Sequence, residues 1–127
     1  MTTATRHMKK IKRKYIKTLK ALSYLMTLCI LQAFKNRDYL IKIYKSDQNN
    51  TVAKILDNSS KTLKYLEGVE DFFMCKMSQM CECNETQLQY YLKQLLHSKQ
   101  IFRNFLKNQR KISDLIIETQ ISEFNNP

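Results

Sequence analysis

The chain has 127 residues and carries 22 Lys and Arg against 11 Asp and Glu, a formal net charge of +11, with 43% hydrophobic residues and a single Gly and a single Pro. That length suits one domain with one core, and the hydrophobic content is too high for a disordered tail. The near absence of Gly and Pro removes the residues that build hairpins and tight turns, so the fold expected is all-α, a helical bundle.

The first 20 residues form a basic N-terminal segment, set apart from a helical domain over 21–127. Arg6, Lys9, Lys10, Lys12, Arg13, Lys14, Lys17 and Lys20 fall in it with no acidic residue among them. The uncharged run ALSYLMTLCILQAF, residues 21–34, follows directly. Together they imitate the basic and apolar parts of a signal peptide, but no small-x-small cleavage site precedes Lys35. Fourteen residues also fall short of the roughly 20 that a membrane-spanning helix needs. The reading preferred for the run is an amphipathic core helix.

From about Lys9 to Tyr44, Leu22, Leu25, Met26, Cys29, Ala33, Leu40, Ile43 and Tyr44 recur mostly at three- and four-residue steps, as one long helix or two. SDQNN, residues 46–50, reads as a loop. A helix over about Val52 to Met77 carries Ile55, Leu63, Leu66, Val69, Phe73 and Met77 as its stripe. It contains Gly68, which costs about 1 kcal/mol relative to Ala, and DNSS at 57–60 offers an alternative cap one turn later. Asn84 with Gln87 has the form of a capping box, opening a helix whose stripe is Leu88, Leu92, Leu95, Phe102 and Leu106. A bend is expected near KNQRK, residues 107–111, before a short last helix with Ile112, Leu115 and Ile116.

CKMSQMCEC, residues 75–83, holds three of the four cysteines. Cys75, Cys81 and Cys83 with His97 have the ligand types of a Cys3His zinc site, but the C-x5-C and C-x-C spacings are not those of a zinc knuckle. A thiol redox site would need C-x-x-C beside a βαβ pattern, and neither occurs. One glycine rules out a phosphate loop, and no metalloprotease helix motif, nucleophile elbow or paired carboxylates are present. The expectation is a protein that binds rather than catalyses, with no metal and no cofactor. Three N-x-[ST] sequons, at Asn49, Asn58 and Asn84, agree with a secreted, disulfide-forming context.

The C-x5-C-x-C pattern resembles that of the interleukin-19, interleukin-20 and interleukin-24 branch of the interleukin-10 cytokine family. YLIKIYKSDQ, residues 39–48, is similar to the stretch closing the third helix in that branch, and KISDLII, residues 111–117, to the family's closing Glu-Leu-Asp-Ile-Leu-Leu. Cys29 falls on the first of the family's adjacent Cys-Cys pair, while Ile30 replaces the second and the N-terminal cysteine has no counterpart. The resemblance covers about residues 27–120 and implies a class-2 cytokine bundle, without its first helix, with helices near 20–46, 53–77, 85–106 and 108–120. It implies a Cys29–Cys81 bridge, leaving Cys75 and Cys83 to pair with each other or stay free. It further implies a secreted monomeric glycoprotein that binds receptor chains of the interleukin-20 receptor alpha and beta type, to signal or to block signalling. Tyr39, Lys42, Tyr44 and Lys45 are then the receptor-contact candidates.

The Lys-, Ile- and Asn-rich vocabulary suggests an AT-rich genome, which with the resemblance implies a virus-encoded mimic. The excess positive charge is expected to hold sulfated glycans. The competing reading is an intracellular basic module that binds nucleic acid or an anionic membrane through residues 6–20.

Overall fold

A computed structural model describes the backbone of residues 3–43 and 50–125 and the side chains of residues 5–42 and 52–118. Three helices carry almost all of it: α1 (Thr3–Ile43), α2 (Asn50–Ser78) and α3 (Glu85–Asn125), with a 3-10 turn at Met80–Glu82 between the last two. No strand occurs among the described residues. The all-α bundle expected from composition is the fold observed.

Cross-helix contacts give the topology. His7 of α1 meets Glu85 at the start of α3, and Asn36 meets Gln109 further along both, so α1 and α3 run parallel. Tyr15 reaches Phe73 and Gln109 reaches Ser59, so α2 runs against both. The arrangement is up, down, up. α1 and α3 pack along their length, α2 leans on α1, and α2 touches α3 least.

The core follows the helical period. Tyr15, Leu22, Cys29, Leu66, Leu88, Leu95 and Phe102 are the most deeply buried side chains, joined by Leu19, Met26, Phe73 and Leu106. At about 25 cal/mol per Å² of apolar surface, each large side chain buried here contributes roughly 1.5 to 3 kcal/mol. Asn84 opens α3 as expected. Its Oδ1 accepts from the Gln87 N–H at 2.8 Å, and the Gln87 Oε1 accepts from the Asn84 N–H at 3.0 Å. This reciprocal pair satisfies two backbone donors that a bare helix start would leave open.

Four expectations are corrected. Residues 3–20 are not a segment apart from the domain: they are the first half of α1, and Ile11, Tyr15, Thr18 and Leu19 enter the core. Four-residue steps between Ile11, Tyr15 and Leu19 keep one face of the basic stretch inward. The bend near KNQRK is absent, because α3 is continuous through it with Gln109 buried and its charged neighbours exposed. Of Ile112, Leu115 and Ile116, expected on one stripe, Ile116 is buried and Ile112 partly so, while Leu115 faces solvent. DNSS caps nothing, since α2 already begins at Asn50 and runs through it. Of the expected loop, residues 46–49 lie outside the described residues, as do Tyr44 and Lys45.

Gly68 sits mid-helix in α2, and a Cβ placed on it would meet nothing within 4 Å. Gly68→Ala is therefore expected to stabilise the protein by about 1 kcal/mol through backbone entropy alone. Urea unfolding reads this directly; a loss of stability would show a crowded site that the geometry does not contain.

Candidate functional site

Two grooves flank α2, and they arise from how loosely it packs. The first, of about 810 Å³, lies between α1 and α2. Met26, Ile30, Ala33, Phe34 and Ile41 line it from α1, Leu56 and Leu63 from α2, and Arg37, Lys64, Glu67 and Glu70 rim it. Phe34 is 53% exposed and Ile41 is 46% exposed. The second groove, of about 780 Å³, runs between α2 and α3, where Tyr65, Gly68, Val69 and Phe72 face Tyr90, Lys93, His97 and Ile101. Tyr65 and Tyr90 are each more than half exposed. At one end of this groove the Lys76 ammonium lies 5.5 Å from the Phe72 ring and 5.0 Å from the Tyr91 ring, and those two rings meet edge to face.

The receptor-contact candidates on the described part of α1 are Tyr39 and Lys42. Both are exposed near the C-terminal end of the helix, while Leu40 between them is buried. Neither lines a groove; Arg37 and Ile41, two residues to either side of Tyr39, do. The groove aromatics Phe34, Tyr65, Phe72 and Tyr90 were missed by sequence reasoning, because helical period tells which positions are apolar and not which are left uncovered.

All four cysteines are free thiols. Cys29 is buried in α1 and donates its S–H to the Phe102 carbonyl at 3.5 Å. Burial raises its pKa to about 11, against a smaller lowering by Arg110. Cys83, half-buried before α3, donates to the Gln79 carbonyl at 3.5 Å, while Cys75 and Cys81 are exposed. The Cys29–Cys81 bridge is not formed, for a reason of helix geometry. Tyr15 meets Phe73 just before the cysteine turn and His7 meets Glu85 just after it, which puts the turn at the level of residues 7 to 15 of α1. Cys29 lies 14 residues beyond Tyr15 along an unbroken α1, about 21 Å at 1.5 Å per residue, whereas a disulfide needs Cα atoms within about 7 Å. Cys75 and Cys83 are likewise unpaired with each other. Among the described residues no three His, Cys, Asp or Glu side chains are grouped to hold a metal ion, and His97 faces the α2/α3 groove away from the cysteine turn.

Two of the three sequon asparagines are on the described surface. Asn58 is exposed on α2, and Asn84 is exposed at the start of α3 with its Oδ1 engaged in the cap; Asn49 lies outside the described residues.

The basic residues of α1 form a line. Arg6, Lys10, Arg13, Lys17 and Lys20 follow steps of four and three residues, and every one is exposed. The apolar run 21–34 continues the same helix, burying Leu22, Met26, Cys29 and Ala33. No helix among the described residues is long and apolar enough to cross a membrane.

No family model matches the chain, and neither the curated proteins nor the solved structures contain a match to it. The described residues form an all-α bundle of three helices that carries two open apolar grooves and a basic ridge.

Proposed function

We propose that the protein is a secreted, cytokine-like helical ligand that acts by bringing two receptor chains together, through surfaces on the two flanks of α2. The observation that carries this reading is the pair of aromatic-bearing apolar grooves on different faces of one bundle. Interface centres are enriched in aromatic residues and depleted in charge, and a few buried anchors dominate affinity. Phe34 and Ile41 in one groove, and Tyr65, Phe72 and Tyr90 in the other, are anchors of that type. The cysteine cluster and YLIKIYKSDQ add the resemblance to the interleukin-20 branch, whose ligands use heterodimeric class-2 receptors. Catalysis has no part in the mechanism.

The test is binding to immobilised ectodomains of class-2 cytokine receptor chains, singly and as heterodimers. Phe34→Ala with Ile41→Ala is expected to weaken one chain, and Tyr65→Ala with Phe72→Ala the other, each by about 2 kcal/mol, roughly 30-fold in Kd. Absence of binding at micromolar concentration, or equal loss at both chains from either pair, overturns the reading.

A second reading is favoured by the free thiols and the basic ridge: an intracellular module that holds a polyanion through residues 6–20. Intact mass after expression in a eukaryotic secretory host separates the two. Glycan on Asn58 or Asn84 with export supports the ligand, and an unglycosylated, retained product supports the module.

A further inference from the structure

We infer that the ridge formed by Arg6, Lys10, Arg13, Lys17 and Lys20 is a docking track for a linear sulfated polysaccharide. The inference rests on the extracellular reading above for the choice of polyanion, and on geometry for the rest. The five residues occupy one line along α1, about 21 Å from first to last at 1.5 Å per residue. Neighbours on such a line stand about 5 to 6 Å apart, so the ridge presents a repeating row of charge. Lys14 widens it on the exposed surface.

The row is uncompensated. The first acidic residue of the chain is Asp38, and none of the five ridge residues takes part in an ion pair. Glu85 of α3, which meets this end of α1, is engaged by His7. A ligand that carries closely spaced fixed negative charges satisfies such a row at every step, and a ligand with isolated carboxylates does not.

Other polyanions fit less well. A membrane-surface helix must bury its apolar face in lipid, and here that face is occupied: Ile11, Tyr15, Leu19 and Leu22 are 8%, 1%, 2% and 0% exposed, packed into the bundle. Nucleic-acid recognition adds base stacking or base-edge hydrogen bonds to phosphate contacts, and between Arg6 and Lys20 no Phe, Tyr, Trp, Asn or Gln side chain is more than marginally exposed save Ile-flanked backbone positions, the exposed Tyr24 lying a turn beyond the ridge's end. Sulfate groups on a sugar chain ask only for charge and spacing.

The experiment measures the full chain binding to a heparin oligosaccharide by calorimetry across a salt series. The probes set beside it are the desulfated oligosaccharide, single- and double-stranded DNA of matched charge, and phosphatidylserine vesicles. The ridge variant replaces all five residues with Gln. A control variant replaces the exposed Lys54, Lys61, Arg103, Lys107 and Lys111 with Gln and so loses the same net charge. The ridge variant is expected to bind heparin at least roughly tenfold more weakly, with a shallower salt dependence, while the control variant loses much less. A variant with Lys10→Arg, Lys17→Arg and Lys20→Arg keeps full binding, and desulfated heparin does not bind. Equal losses in ridge and control variants would overturn the inference, as would tighter binding to DNA or vesicles than to heparin at the same salt. Because the ridge lies outside both grooves, receptor binding is measured on the same variants. Loss of heparin binding with receptor binding intact in the ridge variant supports the track. A wild-type protein that binds receptor chains but not heparin sinks the track alone; one that binds heparin but no receptor chain sinks the receptor reading alone.

Discussion

Asn36→Ala is expected to destabilise the bundle by about 2 to 4 kcal/mol. Asn36 is 2% exposed and Gln109 is 3% exposed, and together they form a buried polar pair beyond the Cys29 and Leu106 end of the apolar core. The Asn36 amide donates to the Gln109 backbone carbonyl at 2.7 Å and to its Oε1 at 3.0 Å, and Gln109 Nε2 donates on to Ser59 Oγ at 3.0 Å. Gln32, one turn back on α1, donates to Asn36 Oδ1 at 3.1 Å. One network therefore ties all three helices at a single level.

Removing Asn36 leaves the Gln109 Oε1 buried without its donor, at a cost of about 1 to 3 kcal/mol for an unsatisfied group, and opens a small void. The paired replacement Asn36→Leu with Gln109→Leu is expected to recover most of that loss, since two apolar groups need no partner. Such a bundle gains freedom to slide α1 against α3, and broadened amide resonances would report it. Urea unfolding of the single and double variants checks the first part; a single variant as stable as the parent would show that the network contributes nothing.

Stability is also expected to fall steeply above about pH 9. Tyr15 is 1% exposed and its hydroxyl donates to the Phe73 carbonyl at 2.9 Å. Its pKa is pushed up to about 12, first by burial and then by the neighbouring Cys83 and Tyr91. Cys29 is pushed up to about 11, again chiefly by burial. In both cases the folded value lies above the unfolded one, 10.0 for the tyrosine and 9.0 for the thiol. The unfolded chain loses these protons first as pH rises. The stabilisation they provide is complete below about pH 9 and is lost progressively towards pH 12. Each pKa unit corresponds to about 1.4 kcal/mol, so the two groups together remove several kcal/mol over that window.

The comparison that isolates the effect is the parent against Tyr15→Phe with Cys29→Ala, by urea unfolding at pH 8 and pH 11. The double variant starts less stable, through the lost hydrogen bond and the small cavity, and then falls less with pH. Parallel curves for the two proteins would refute the assignment. Thiol labelling gives a second readout: the exposed Cys75 and Cys81 react in the native state, and Cys29 reacts only on unfolding, since the thiolate is the nucleophile.

Much of the fold is legible in the chain because helices report themselves through period. The stripe of Leu22, Met26, Cys29, Ala33 and Leu40 marks the buried face of α1, and Asn84 with Gln87 marks the start of α3 to the residue. The start of α1 is less visible, because eight basic residues conceal Ile11, Tyr15 and Leu19, which continue the stripe backwards. Asn36 occupies a position on that stripe, between Ala33 and Leu40, so its burial follows from spacing although its polarity argues against it. Gln109 misleads for the opposite reason: set among KNQRK it reads as part of a break, while it is the one inward residue of a charged turn. The grooves are the part that spacing does not reveal. Whether Phe34, Tyr65 and Tyr90 are covered depends on how closely α2 approaches its neighbours, a tertiary quantity.

The parallel setting of α1 and α3 has a mechanical consequence. Thr3 and Asn125 lie at opposite poles of the bundle, so tension applied between them runs along the helix axes and drags α1 lengthwise past α3. Under such a load the core layers from Tyr15 to Leu106 resist together, and a rupture must shear them as a set; they cannot be opened one after another as a zipper is. With its handles placed there, this small domain is a spring that is stiff along its axis and that yields all at once.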